Sequence, residues 1–498
     1  MMSREKPLQN SFFGPPKDLG ARVPTDHLLR KVNRVVDFDF TYNAAEGFYG
    51  AVGNESIPPP TILRMMLLIF LYNVRSEREF FRDLPMRIDW LWFLGYDLSW
   101  EVPDHSILSK ARRRWGSDMF AGLFEQTVAR CMAAGLVGGR EVLVDSSLID
   151  ANASIDSMFR ARSREIAAEV MTRLDEPAEQ GSRPDHDGRQ SPPKAGGHAS
   201  GPEEPKYRST TDPDATGAAR RGELRTRPRY QTHRAVDVEH GVITATTVGP
   251  GHENESIRLE ELVSLHTQRT GLRVERITAD SKYGTADNLE YCEWNGITAY
   301  INPLRNTQIR PREDRFTECC FRYDALTDTY TCPAGQTLTR KRHRAERNAH
   351  RYAAPAKACR TCPARGFCTD GKRGRTLDRP DRMKILDRAT TRINSPAGKA
   401  HRKRRTWMME GSFAQSVRFG YKRARWRGIE KMTIQDYLVG AVQNLLLLIR
   451  KGATGFQNGP DSRKKDLPAA LSRRCRSIIA VFARVLNSSV LWPLNDCR

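Results

Sequence analysis

Asp145 and Asp280 each follow a short run of strand-forming residues, Glu141-Val142-Leu143-Val144 before the first acid and Leu272 to Ala279 before the second. A strand delivers the next side chain to the end of its sheet, and in an open α/β sheet sites form at the strand ends. A third acid, Glu410, lies in a predicted helix from Lys399 to about Phe419. There Thr406, Glu410, Phe413 and Val417 recur at 4-3-4 spacing and share one stripe. That stripe is expected to face the sheet, which points Glu410 inward. A buried carboxylate without a partner is costly, so it requires a cation or a proton. Three converging carboxylates can hold two hard divalent ions, which activate water or a 3′-hydroxyl and steady the leaving oxygen in phosphodiester transfer. Taken singly, each acid also fits a helix cap or a surface salt bridge. Asp150, past the expected strand end, reads as a supporting or surface acid.

These acids need elements to position them. Residues 1–135 read as helical, with an apolar run from Thr61 to Tyr72 opened by Pro58, Pro59 and Pro60. Asp104 is the expected N-cap of a helix over Ile107 to Trp115, whose Lys110, Arg112, Arg113 and Arg114 make a basic face suited to DNA or simply to solvent. The stretch 157–206 is too polar to fold alone and reads as a flexible insert. Tyr230 to Val236 and Val242 to Val248 read as a hairpin turned at Glu239-His240-Gly241. Asn254 to Thr270 and Gly284 to Asn295 read as helices, and Thr298 to Ile301 as a strand. Thr433 to Arg450 is an amphipathic helix with Ile434, Tyr437, Leu438, Ala441, Val442, Leu445, Leu446 and Ile449 at 3–4 spacing.

Residues 303–395 break this alternation and hold six of the ten cysteines. Cys359 and Cys362 form a CxxC pair, with Cys332 before it and Cys368 after it. Four thiolates close a tetrahedral structural zinc site. Reduced thiols packed in a small insert are the alternative. Adjacent Cys319 and Cys320 do not readily join one metal.

With 81 Lys plus Arg against 59 Asp plus Glu, the 498-residue chain carries a formal charge of +22. So basic a protein usually meets a polyanion, nucleic acid before an acidic membrane surface. Met65 to Tyr72 and Leu438 to Ile449 are the longest apolar stretches, both shorter than the roughly 20 residues of a membrane span. Met1 to Asn10 is polar and lacks the apolar run of an export signal, which predicts a cytoplasmic, nucleoid-associated protein with reduced cysteines. Arg402, Lys403, Arg404 and Arg405 precede Glu410, and Lys422, Arg423, Arg425, Trp426 and Arg427 follow it. Cations in that position offset repulsion between the acids and phosphate. Trp426 fits either a base-stacking platform or a core position.

From about residue 55 to 450 the chain resembles the DDE transposases of bacterial insertion sequences. Pro60-Thr61-Ile62-Leu63 and Pro103-Asp104-His105-Ser106 are similar to the family's helical N-terminal domain. Val144-Asp145-Ser146-Ser147-Leu148-Ile149-Asp150-Ala151-Asn152-Ala153-Ser154 resembles its first catalytic strand. Ser209-Thr210-Thr211-Asp212-Pro213-Asp214-Ala215 resembles a segment leading into the next strand. Thr278-Ala279-Asp280-Ser281-Lys282-Tyr283-Gly284 matches the second acid, and Glu410-Gly411-Ser412-Phe413-Ala414 the third. Arg423-Ala424-Arg425-Trp426-Arg427-Gly428 resembles the family's basic stretch. Relatives often place a Lys seven residues after the third acid, where this chain has Val417.

The resemblance implies an α/β fold: a ribonuclease-H-like mixed sheet flanked by helices, an all-helical N-terminal domain and a Cys-rich insertion before the Glu helix. The expected domains are 1–135, 136–302, 303–395, 396–452 and a basic tail, 453–498. Asp145, Asp280 and Glu410 would be the catalytic, Mg²⁺- or Mn²⁺-holding triad, with two ions. Arg112, Arg113, Arg402, Arg405, Lys422, Arg423, Arg425 and Arg427 would contact DNA. Partners would be double-stranded DNA, as terminal inverted repeats and target, and a second copy of the chain in a homodimeric synapse. A structure-specific nuclease and an inactive DNA-binding derivative are the rival readings.

Overall fold

The computed structural model describes residues 1–4, 19–50, 55–98, 100–160, 205–220, 222–304, 316–345, 348–371 and 373–451. Most of the expected flexible insert and the whole basic tail lie outside these residues. The account below concerns the unit Met1–Arg450.

Among the described residues seven α-helices open the chain: α1 (Leu28–Val35), α2 (Phe40–Ala45), α3 (Pro59–Leu71), α4 (Glu77–Asp83), α5 (Ile88–Leu94), α6 (Ser106–Trp115) and α7 (Asp118–Ala133). Prolines begin α3, where a missing N–H costs nothing, and nearly every α3 side chain is buried. The N-cap of α6 is His105, one residue later than expected, and Asp104 Oδ1 accepts the Ser106 N–H at 2.8 Å from just before it.

Strands β1 (Glu141–Asp150), β2 (Met158–Arg160), β3 (Tyr207–Ser209), β4 (Thr216–Ala218), β5 (Arg227–Asp237) and β6 (Ile243–Pro250) follow. Then come α8 (Leu259–Thr270), β7 (Arg276–Ala279), α9 (Ala286–Trp294) and β8 (Thr298–Tyr300). These strands form one eight-stranded mixed sheet in the order β2-β3-β4-β5-β1-β7-β8, with β6 also paired to β5. At its centre β6, β5 and β1 are antiparallel, while β7 runs parallel to β1 and β8 parallel to β7.

Residues 322–380, for which the sequence offered no pattern, build a second sheet. Strands β9 (Arg322–Asp324), β10 (Thr329–Thr331), β11 (Thr337–Arg344), β12 (Ala349–Ala353) and β13 (Thr376–Pro380) pair antiparallel in the order β13-β12-β11-β10-β9. Phe321, Tyr330, Leu338, Tyr352 and Leu377 give it a small core of its own. Helix α10 (Ala356–Arg360) sits within it. The chain then returns through α11 (Met383–Asn394), α12 (Pro396–Val417) and α13 (Ile429–Lys451).

Alternation along β1 divides the interior. Val142 and Val144 join the core that includes Leu259, Leu262, Ile277 and Leu289. Leu143 and Ile149 join a larger core shared with the N-terminal helices and α13. Leu63 and Phe70 of α3, Phe124 of α7, and Val439 and Leu445 of α13 all belong to that larger core, so the helical N-terminal region packs with the sheet rather than around a separate centre. Gly440 permits the closest contact: a Cβ there would meet the Phe124 ring at 2.9 Å. Helix α13 is long and apolar enough to span a membrane, but 72% of its apolar window is buried in protein, as suits a core helix.

Candidate active site

Asp145 does not end its strand. The sequence stops β1 at Val144, but β1 continues to Asp150, because β5 stays paired with it through Asp150 opposite Arg229. The strand that ends is β7, whose last residue, Ala279, lies beside Val144 in parallel register. Asp280 then follows directly next to Asp145. The two acids therefore meet where β7 runs out. By alternation Asp145 projects from the face that carries Leu143, toward the side holding α12 and α13.

A guanidinium joins them. Arg405 of α12 places Nη1 2.6 Å from Asp145 Oδ2 and Nη2 3.8 Å from Asp280 Oδ1. Its side chain is 13% exposed. Burial pushes the Asp145 carboxyl up to about 6; Arg405 and the Ser146 N–H oppose that rise, while the charges of Asp280 and Glu255 add to it. The Ser146 N–H donates to Asp145 Oδ1 at 2.9 Å.

The opposite face of the sheet supports this edge with a polar network. The buried Tyr283 hydroxyl lies 2.8 Å from His233 Nδ1. Burial lowers His233 to about 3, with Arg258 and Lys282 adding to the effect, so the ring is neutral. Gln231 Nε2 donates to Ser146 Oγ at 3.2 Å. Lys282 pairs with Glu255, whose side chain is 7% exposed, tying the loop after Asp280 to the turn after β6. Gly284 lets that loop close, since a Cβ there would lie 2.1 Å from the Asn302 carbonyl oxygen.

Glu410 is not drawn into this cluster. The residues α12 turns inward include His401, Arg405, Met409 and Ser416; of the expected stripe only Phe413 packs inward, half-buried against the larger core, whereas Thr406, Glu410 and Val417 are exposed. This corrects the expected stripe. His401 lies 2.7 Å from Glu141 Oε1 and stacks on Tyr300 at 4.0 Å. At the other end of α12 the Ser416 hydroxyl accepts from Arg234 Nη1 at 2.7 Å. These polar anchors fix the rotation of the helix. Five residues beyond Arg405, at roughly 100° per residue, Glu410 stands about 140° around the helix from it. An apolar-periodicity argument could not find this register, because two of the inward residues are charged or titratable.

The expected DNA contacts divide. Arg113, Arg402, Lys422, Arg423 and Arg427 are exposed. Arg112 is turned inward, 4% exposed, paired with Glu77 and seated 3.9 Å over the Trp426 ring. Arg425 is bonded to the Val74 carbonyl and to Asn73 Oδ1 and lies over Phe70. Arg405 belongs to the acids. These three guanidinium groups are engaged inside the protein, so the structure removes them from the DNA-facing surface. Trp426 packs edge-on against Phe70 at 5.9 Å, which settles it as a packing residue. Asp150 is a supporting acid, held by Arg220 and Arg229.

Cys332, Cys359, Cys362 and Cys368 line one small cavity in the five-stranded sheet unit. Burial raises the Cys368 thiol; Arg375 opposes this, and Cys359, Cys332 and Cys362 add to it. The Gln336 N–H donates to Cys332 Sγ at 3.2 Å. His343, His350 and Asp381 form a separate, largely exposed group on β11, β12 and the turn after β13.

Two family models match the chain. One, described as a transposase domain (DUF772), matches residues 17–114, and the other, a transposase DDE domain, matches residues 331–449. The two matches support an insertion-sequence DDE transposase. The DDE match includes Glu410 and the four cysteines, and stops short of Asp145 and Asp280. Comparison with curated proteins and with solved structures gave no match. The transposase is a mixed α/β protein that acts on DNA, and a divalent metal requirement comes with its DDE domain.

Proposed function

We propose that this transposase cuts phosphodiester bonds at the ends of its element and joins the resulting 3′-hydroxyl to target DNA. The observation that carries the reading is the meeting of Asp145 and Asp280 at the end of β7, with a cation between them. Close carboxylates demand positive charge, and hard oxygen donors suit Mg²⁺ or Mn²⁺. Asp145 and Asp280 would hold the ions. Glu410 stays the third acid on the strength of its motif, although it stands outside the pair in this arrangement. When bound, a pair of divalent ions lowers the pKa of a water or hydroxyl and steadies the leaving oxygen. The chain's own residues do the rest. His233 and Tyr283 brace the acid edge, Lys282 and Glu255 hold the loop after Asp280, and the exposed Arg113, Arg402, Lys422, Arg423 and Arg427 bind phosphate.

Three antiparallel strands extended by two parallel ones, with acids on adjacent strands, support the ribonuclease-H-like reading of the sheet. Convergence of the four cysteines supports a structural zinc in the insertion. Synapsis of two element ends implies a homodimer.

Purified protein with element-end DNA and Mg²⁺ tests the function, with the Glu410→Gln variant as control. Nicked and joined products from the wild type alone support it. Nicking without joining would favour a nuclease. Binding without any cleavage would favour an inactive derivative.

A further inference from the structure

We infer that Arg405 is a positioning residue that stands in for divalent cations, holding Asp145 and Asp280 together in the metal-free protein and withdrawing before a metal enters. The inference rests on the metal-dependent reading above.

A single guanidinium contacts both acids, at 2.6 and 3.8 Å, from the one inward position of α12 that faces them. The planar fork of arginine suits this task, since it can face two carboxylates where a lysine ammonium is a single point charge. The contact is built in rather than incidental. Arg405 is 13% exposed, and its Nε is buried with no hydrogen-bond partner among the described residues. Helix α12 is pinned on either side of it, by His401 on Glu141 and by Ser416 on Arg234. The same helix keeps its own acid, Glu410, exposed. From α12 the acid pair thus receives a cation and not the carboxylate of Glu410.

Two carboxylates brought together at a sheet edge repel, and the repulsion must be offset before any metal or DNA arrives. Arg405 does this with its guanidinium charge. The same charge opposes metal binding, because a divalent ion and a guanidinium cannot share the space between two carboxylates. Arg405 and the metal are therefore competing ligands of one site. Coupling between ligands commonly spans 5–150-fold in affinity, so removing Arg405 should tighten metal binding roughly tenfold.

The test is Mn²⁺ binding to the full chain, followed by electron paramagnetic resonance without DNA. The proteins are wild type, Arg405→Met, Arg405→Lys and Asp145→Asn. The expected result is a site that Asp145→Asn abolishes, with Arg405→Met binding about tenfold tighter than wild type and Arg405→Lys in between. A merely structural arginine would leave affinity unchanged or weaken it. Should Arg405→Met fail to fold, Arg405→Lys alone carries the comparison. Equal or weaker binding by the Arg405 variants, at a site that Asp145→Asn removes, overturns the inference and leaves the metal reading intact. Absence of any Asp145-dependent site in all the proteins overturns both.

Discussion

Asp145 should destabilise the metal-free protein at neutral pH, and replacing it with asparagine should make the fold more stable while removing activity. Its carboxyl is raised from 3.8 to about 6, chiefly by burial. Folding thus favours the protonated form. The stability this group contributes is whole below about pH 4 and is lost as pH rises through about 6. At about 1.4 kcal/mol per pKa unit, two units correspond to about 3 kcal/mol. The side chain is 22% exposed, so solvent screening brings this nearer 2 kcal/mol, as an order of magnitude. Asparagine mimics the protonated acid at every pH. Urea denaturation in a chelator should therefore show Asp145→Asn and wild type equal near pH 4, with the variant about 2 kcal/mol more stable near pH 8. A variant less stable than wild type near pH 8, or an advantage of the same size at both pH values, would refute the reasoning.

Other substitutions separate function from packing. Glu410→Gln should abolish Mg²⁺-dependent cleavage while shifting stability by no more than about 0.5 kcal/mol, since Glu410 is exposed; urea denaturation and a cleavage assay check both halves. Arg112→Ala should cost about 3 kcal/mol by leaving Glu77 inside without its partner. Arg113→Ala should leave the denaturation curve alone, weaken DNA binding and reduce the salt slope of log K by about 1. Cys362→Ser should lower the zinc content measured by atomic absorption on the purified protein, and zinc-free wild type would remove the metal from this account.

Much of the acid-bearing end of the sheet was legible because strand signals are local. The β-branched run before Asp145 and the run before Asp280 marked the two acids, and the hairpin, α9 and α13 followed their apolar patterns. The end of β1 was misplaced because strand length is set by the partner: β5 pairs as far as Asp150 whatever the local pattern. Helix α12 was misregistered for a related reason. Its inward residues include His401 and Arg405, drawn in by pairing with Glu141 and Asp145, and hydrophobic periodicity does not detect ion pairs. Arg112 and Arg425 look like surface cations for the same reason, yet each lies over an aromatic ring inside. The sheet at residues 322–380 escaped notice because its strands are short and β11 is largely exposed and basic, which leaves no alternation to read.

The most direct test of the Asp145–Asp280 pair as the catalytic centre is cleavage of element-end DNA by wild type and Asp280→Asn, each with Mg²⁺ and with chelator, scored beside DNA binding. The account predicts 3′-hydroxyl nicks and joined products from wild type with metal only, and none from Asp280→Asn even though it binds DNA equally well. Cleavage that survives Asp280→Asn, or that proceeds in chelator, would contradict it.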